Sequence, residues 1–151
     1  MAQFLLRRLG LLRISGSGGG QLGDLPAYDA HPLGGVNCVR GYSEGALGTA
    51  RNWGVINTEL ETVVPKLDRL KGVLFVDCGT DFNSGATVVG DPAGSRGKPG
   101  TGFGYGVGVR LGSPMGMIRF EYGWTGDSQW NSDRKFTIPG GRLHVGIGSR
   151  F

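Results

Sequence analysis

The sequence lacks the features that identify several large classes of protein. No apolar run approaches the roughly 18 residues that a transmembrane helix requires. The only two cysteines, Cys38 and Cys78, stand far apart and outside any CxxC or Cys/His metal spacing. The two histidines, His31 and His144, are isolated as well. These absences argue against a membrane-spanning helix in this sequence, and they leave no basis for a metal site or a disulfide scaffold.

Signatures of catalysis and of cofactor binding are missing too. The chain has no nucleophile elbow, no phosphate-binding loop and no carboxylate pair at a spacing typical of acid–base chemistry. The glycine string at 102–108 reads GxGxGxG without a helix after it, so it does not predict a dinucleotide site. The net charge of +4 favours acidic partners or anionic lipid, but the basic residues are scattered. We therefore expect a protein that is not an enzyme, uses no cofactor and binds no nucleic acid.

Alternation of apolar and polar residues runs through much of the chain. Successive side chains of a strand point to opposite faces, so each alternating segment predicts a strand with one apolar and one polar face. The alternating segments are 53–64, 70–78, 102–111, 117–124 and 142–151, and residues 9–16 predict a further strand. A membrane barrel has this pattern with lipid outside and a polar lumen inside. A soluble β-sandwich has it with the apolar face inside, so the alternation alone leaves both architectures open.

Glycine is the residue that this sequence has in excess. It accounts for 31 of the 151 residues, whereas a typical protein contains about 7%. Many of these glycines occupy alternate positions inside predicted strands, where glycine weakens a sheet unless something must approach closely. A crowded lumen would be one reason for them, and a strongly bent barrel wall would be another.

The most specific motif, LGGVNCVRGY, lies at 33–42 within a long loop predicted over 17–48. It resembles the lumenal loop of the pores that assemble outer-membrane β-barrels or move proteins across outer membranes. This superfamily includes the bacterial barrel-assembly factor, the two-partner secretion transporters, the mitochondrial sorting-and-assembly pore and the chloroplast outer-envelope pores. Its loop signature, V-R-G-Y or V-R-G-F, is matched by Val39, Arg40, Gly41 and Tyr42. A second family signature, F-x-D-x-G, is matched by Phe75, Asp77 and Gly79.

The resemblance implies an ion pair in the lumen between Arg40 of the loop and Asp77 of a strand. Asp77 has the opposite strand parity to Leu74 and Val76, so it faces the lumen if those two residues face lipid. A carboxylate in a narrow barrel is costly to desolvate and needs a cation or water. Arginine suits this role because it grips a carboxylate with two parallel hydrogen bonds.

The end of the sequence resembles the C-terminal strand signal of outer-membrane proteins, in the pattern R-x-x-x-G-x-G-x-R-F. In the family this strand is recognised during assembly and closes the barrel against the first strand. The residues that carry the signal here are Leu143, Val145, Gly146, Ile147, Gly148 and Phe151.

The segments GDLPAYDAHPLGG and GDPAG look most like the plant and algal outer-envelope members. The resemblance therefore implies the outer envelope of the chloroplast, with a bacterial or mitochondrial outer membrane as the alternative. It implies membrane lipid and unfolded outer-membrane client proteins as partners. It also implies copies of this chain, or a full-length pore, as partners that would complete a barrel.

The resemblance implies an all-β fold over residues 1–151: an antiparallel up-and-down transmembrane sheet of five or six strands. Such a partial barrel corresponds to the C-terminal part of a 16-stranded pore, with residues 1–16 as an uncertain strand or extension and five strands within 53–151. The chain would then be a fragment of a pore, a contributor to a composite barrel, or an open sheet. We expect a role in inserting β-barrel proteins or translocating proteins across the outer envelope. The alternatives are a structural or regulatory barrel segment without transport, and a soluble β-sandwich binding module.

Overall fold

The computed structural model describes residues 2–6, 10–23, 25–114, 116–126 and 140–148. The strands in these ranges are β1 (Ala2–Leu6), β2 (Gly10–Gly19), β3 (His31–Leu33), β4 (Gly48–Ala50), β5 (Trp53–Val64), β6 (Leu67–Thr80), β7 (Thr101–Ser113), β8 (Gly116–Thr125) and β9 (Arg142–Ile147). Within the same ranges, three short 3-10 helices lie in the connections, at Ala27–Asp29, Gly85–Thr87 and Pro92–Gly97. Among the described residues, no helix is long and apolar enough to cross a membrane.

In the described part of the chain, seven strands form one antiparallel sheet in the order β1-β2-β5-β6-β7-β8-β9, and β3 and β4 form a separate pair. Within the described ranges, β1 and β9 each pair with a single neighbour, so the sheet is a partial barrel. The predicted fold class is therefore confirmed, but the sheet has seven strands instead of five or six. The additional strand is β1, whose residues pair with β2 from Ala2 opposite Ile14 to Leu6 opposite Gly10. Its sequence AQFLL does not alternate, which is why the pattern did not reveal it.

The four central strands, β5 to β8, contain 12, 14, 13 and 10 residues. A strand of about 9–11 residues crosses a bilayer when it is tilted, so each of the four is long enough. Short turns join β5 to β6 and β7 to β8 at one end of the sheet. The long connections after β2, β6 and β8 lie at the other end. This asymmetry agrees with an up-and-down barrel.

The two faces of the sheet differ sharply in polarity. Large apolar side chains remain exposed on the outer face, at Ile56, Leu74, Val76, Phe103, Val107, Val109, Phe120, Tyr122, Val145 and Ile147. Charged side chains are buried on the inner face, at Glu59, Glu61, Asp77, Arg110, Arg119 and Glu121. Within the described ranges, no second sheet covers the apolar face. The β-sandwich interpretation is therefore wrong, because a sandwich buries its apolar faces against each other.

The long loop after β2 folds against the inner face instead of extending into solvent. β2 continues to Gly19, so this loop starts at residue 20, later than the predicted residue 17. It contains the β3–β4 pair and the first 3-10 helix. Its apolar side chains pack with β5 into one cluster: Leu33, Cys38, Val39, Tyr42, Leu47, Ala50 and Val55. This cluster presses residues 38–42 onto the strands that carry the charged side chains.

Candidate functional site: a buried arginine on the inner face

The loop reaches the inner face because glycines leave room for its backbone. A Cβ atom added at Gly104 would overlap the carbonyl oxygen of Arg40. A Cβ atom added at Gly123 would lie 2.7 Å from the backbone nitrogen of Gly41, whose φ of +96° favours glycine. Loop backbone and strand backbone are thus in direct contact on both β7 and β8. Of the two explanations for the alternating glycines, a crowded lumen accounts for these positions.

Arg40 of this loop is fully buried and is held by carboxylates from three strands. Its Nε lies 2.6 Å from Oδ2 of Asp77 and its Nη2 lies 2.8 Å from Oδ1. Its backbone N–H also donates to Oδ2 of Asp77, at 3.1 Å. Its Nη1 donates to Oε1 of Glu59 at 2.6 Å and to Oε2 of Glu121 at 3.1 Å. The contact between Arg40 and Asp77 that the resemblance implies is therefore present, in bidentate form.

The second sequence motif supplies the surroundings of this guanidinium. The Arg40 Cζ atom lies 3.6 Å from the centroid of the Phe75 ring, which is a cation–π distance. Phe75 and Asp77 are two residues apart on β6 and so share its inner face. Gly79, the next residue on that face, leaves space for Val39: a Cβ there would lie 2.6 Å from Val39 Cγ2. The residues of F-x-D-x-G thus contact the loop at three successive inward positions.

A second arginine, Arg110 on β7, extends the network toward the short-turn end of the sheet. Its Nη2 donates to Oε1 of Glu59 at 2.8 Å and to Oε1 of Glu121 at 2.9 Å. Its Nη1 donates to Oε2 of Glu61 at 3.1 Å. Glu61 also accepts a hydrogen bond from Lys71 at 2.6 Å. The Nη1 atom of Arg13 lies 3.7 Å from Oε2 of Glu61. Four cations and four carboxylates therefore form one connected set of ion pairs.

The surrounding carboxylates keep Arg40 charged despite its burial. Desolvation by burial lowers the pKa of this guanidinium, but the hydrogen bond and charge of Asp77 and the charges of Glu121 and Glu59 raise it by more. The resulting pKa lies above the ordinary value for arginine, so Arg40 stays charged at any physiological pH. Removing one member of a buried ion pair typically costs about 3–5 kcal/mol, because the other charge stays buried. The loop is thus held by electrostatics as well as by its apolar cluster.

Sequence reasoning missed Glu59, Glu61, Glu121 and Arg110 as parts of the site. A usable signal was present, because each of these residues has the polar parity of its strand. Parity does not reveal which charges on different strands meet, since that depends on strand register and on the path of the loop.

The terminal strand touches the loop through a residue that the motifs did not single out. The Gly41 N–H donates to Nε2 of His144 on β9, at 3.1 Å. The predicted signal residues on β9 lie elsewhere: Leu143, Val145 and Ile147 are exposed on the outer face. The Gly148 N–H donates to the carbonyl of Met117 on β8, at 2.8 Å. Phe151 lies outside the described residues, as does the end of the predicted strand 142–151. Tyr42 of the loop motif is buried in the apolar cluster.

An open antiparallel sheet with an apolar outer face and a lumenal loop anchored by arginine defines a segment of an outer-membrane β-barrel pore. The chain belongs to the Omp85 superfamily, whose domain model matches residues 4–151. It is 45% identical over 134 residues to outer envelope protein 80 of the Arabidopsis thaliana chloroplast, which covers 89% of this chain and 16% of that protein. It is 44% identical over 106 residues to outer envelope protein 39 of the same plant, covering 70% of this chain and 29% of the relative.

A third relative is the chloroplast protein TOC75-3 of Arabidopsis thaliana, which is 40% identical over 112 residues. That match covers 74% of this chain and 13% of the relative. The chain therefore spans less than a third of the length of each of these relatives. Its localisation is the chloroplast outer envelope, as the resemblance implies, and the bacterial and mitochondrial alternatives are set aside.

Proposed function

We propose that this chain forms part of a non-enzymatic pore that inserts β-barrel proteins into the chloroplast outer envelope or translocates polypeptides across it. The observation that carries this proposal is Arg40, fully buried on the inner face and bonded to carboxylates on three strands. A charged loop residue placed so deeply holds the loop as a fixed part of the lumen. Membership in the Omp85 superfamily supports a pore-related role.

In this proposal the loop and the sheet have separate tasks. The loop defines the inner wall, with Arg40 and Asp77 fixing its position. The edge of β9 offers unpaired backbone groups to an incoming strand, because within the described residues it pairs only with β8. Strand addition at an open edge supplies main-chain hydrogen bonds without a strict sequence requirement. Unfolded outer-membrane proteins are the clients that such an edge would accept, and membrane lipid surrounds the outer face.

The test places this segment in a full-length pore by replacing the matching part of a chloroplast relative. We expect Arg40→Ala to reduce client insertion or translocation strongly while the strands remain formed, because the loop loses its anchor. Arg40→Lys keeps the positive charge but not the bidentate hydrogen bonding to Asp77, so this variant should retain an intermediate activity. Arg96→Ala is the control, since Arg96 is exposed. Normal activity after neutralising both Arg40 and Asp77 would count decisively against the proposal.

A non-transporting structural or regulatory barrel segment is the second candidate. The two open edges favour it, because β1 and β9 both leave one side unpaired within the described ranges. Copies of this chain or a full-length pore would then complete a composite barrel. Heat-modifiable migration in mild detergent, with cross-linking to count chains, detects such an assembly. Ion conductance in planar bilayers distinguishes a pore from a passive segment.

A further inference from the structure

Arg119 on β8 is a buried cation outside the ion-pair network. Its side chain faces inward and only 6% of it is exposed. Its Nε and Nη1 atoms have no hydrogen-bond partner among the residues that the structure describes. The four carboxylates that the structure describes on the inner face of the sheet already bind other cations: Asp77 and Glu59 bind Arg40, while Glu61 and Glu121 bind Arg110. A buried guanidinium with unsatisfied donors is costly, so Arg119 is suited to an additional anion.

The neighbours of Arg119 make an additional anion beside it more favourable. Arg119 lies directly opposite Arg110 in the β7–β8 register, and like charges in that position repel each other. Arg110 also has one buried donor, Nε, without a partner in the described ranges. A carboxylate next to Arg119 would offset this repulsion and would accept hydrogen bonds from its free donors.

The side chain of Arg119 extends toward the open edge of the sheet. Arg119 pairs with Gly146 of β9, and a Cβ added at Gly146 would lie 2.8 Å from the Arg119 Nη2 atom. The guanidinium thus already covers the inner side of β9, which carries no side chain at that point. A strand added beside β9 would lie about 4.8 Å further on, and its residue in line with Gly146 would be the nearest new neighbour of Arg119.

The edge strands of a second copy, over the residues that the structure describes, do not supply the required carboxylate. Its open edge strands read AQFLL in β1 and RLHVGI in β9, and neither contains an acidic residue. The charge of Arg119 therefore favours a strand from a different polypeptide.

We propose that Arg119 selects, at the open edge of β9, a strand of another polypeptide that carries an Asp or Glu facing the lumen in line with Gly146. This inference rests on the proposed function, since it assumes that the β9 edge accepts strands. It adds a chemical preference to that edge: a partner strand with one inward carboxylate binds more tightly than the same strand without it.

The experiment uses the complete chain refolded in detergent micelles and a fluorescent peptide of about ten residues, the length that spans a bilayer. The peptide alternates valine and threonine and has one central Asp on its threonine face, and a matched peptide has Asn there. Binding is followed by fluorescence anisotropy. We expect the Asp peptide to bind at least about tenfold more tightly, which is the typical gain of a charge-assisted hydrogen bond.

Three variants make the result specific. Arg119→Gln should abolish the preference, and heat-modifiable migration checks that this variant still folds. Gly146→Asp should abolish it as well, because the new carboxylate lies beside the Arg119 guanidinium. Arg142→Gln should leave it intact, since Arg142 is an exposed cation at the other end of β9.

Equal binding of the two peptides, or a preference that persists in Arg119→Gln, would overturn the role of Arg119 while leaving strand addition in place. Failure of both peptides to bind would overturn strand addition at β9, and the selectivity with it. Cross-linked pairs of this chain joined along β9 would show that a second copy, instead of another polypeptide, occupies the edge.

Discussion

Removal of the Arg40 side chain tests whether the ion pairs hold the loop in the lumen. The guanidinium makes four hydrogen bonds, of 2.6 to 3.1 Å, to Asp77, Glu59 and Glu121. In Arg40→Met, Glu59 and Glu121 keep their bonds to Arg110, but Asp77 loses its bidentate partner. We therefore expect the loss typical of a single broken buried ion pair, about 3–5 kcal/mol, in the free energy that docks the loop.

Hydrogen exchange of the loop amides measures this free energy directly, because exchange follows the local opening equilibrium. Loss of about 3–5 kcal/mol corresponds to exchange that is about two to four orders of magnitude faster. The affected amides are those of Cys38, Gly41 and Leu47, which donate to Gly35, His144 and Leu33. Amides in the middle of β6 and β7 should change far less, since their partners are neighbouring strands.

A double-mutant cycle isolates the interaction free energy between Arg40 and Asp77. Asp77→Asn alone should also release the loop, but Arg40→Met with Asp77→Asn should cost less than the sum of the two single changes by about 1–3 kcal/mol. Arg96→Ala is the exposed control and should change stability by less than about 0.5 kcal/mol. Unchanged loop exchange in Arg40→Met, or fully additive effects in the cycle, would refute the conclusion that the buried ion pairs anchor the loop.

Three further changes test separate parts of the structure. Gly104→Ala should release the loop because its Cβ would overlap the Arg40 carbonyl, whereas Gly112→Ala on the same strand meets only a carbonyl at 3.7 Å and should be tolerated; limited proteolysis of the loop compares the two. His144→Ala should speed exchange of the Gly41 amide, and His144→Gln, which keeps an acceptor, should do so less. Leu74→Lys on the outer face should cost about 2–4 kcal/mol of folding free energy in bilayers, measured by reversible unfolding in lipid vesicles. The same substitution should change the free energy of unfolding little when it is measured in denaturant without lipid.

The strands were the most predictable part of the fold because alternation has a period of two and is visible in short segments. β5, β7 and β8 correspond closely to the alternating segments 53–64, 102–111 and 117–124. β1 was not predicted because three apolar residues follow one another in AQFLL, so the segment does not alternate. Its pairing with β2 cannot be predicted from the local residue pattern.

Only part of the candidate site could be predicted from the sequence. Parity placed Asp77 on the polar face, and the two family motifs joined it to Arg40. Neither source indicated that Glu59 and Glu121 would bind the same guanidinium from β5 and β8. These strands are separated by β6 and β7, and Gly106 and Gly108 of β7 offer no side chain between the two carboxylates. The Phe75 ring and the Glu121 side chain occupy the space that a Cβ atom would need at these two glycines. This arrangement follows from strand register and not from sequence spacing.

The position of the network within the sheet has a mechanical consequence. All carboxylates that bind Arg40 belong to β5, β6 and β8, none of which is an edge strand. Opening or closing the sheet at β1 or β9 therefore breaks none of these ion pairs. In the described residues, the loop hydrogen-bonds to β9 only from Gly41 to His144, and a single neutral hydrogen bond is worth about 1 kcal/mol. The edge that would accept a partner strand is thus free to move while the lumenal loop stays in place.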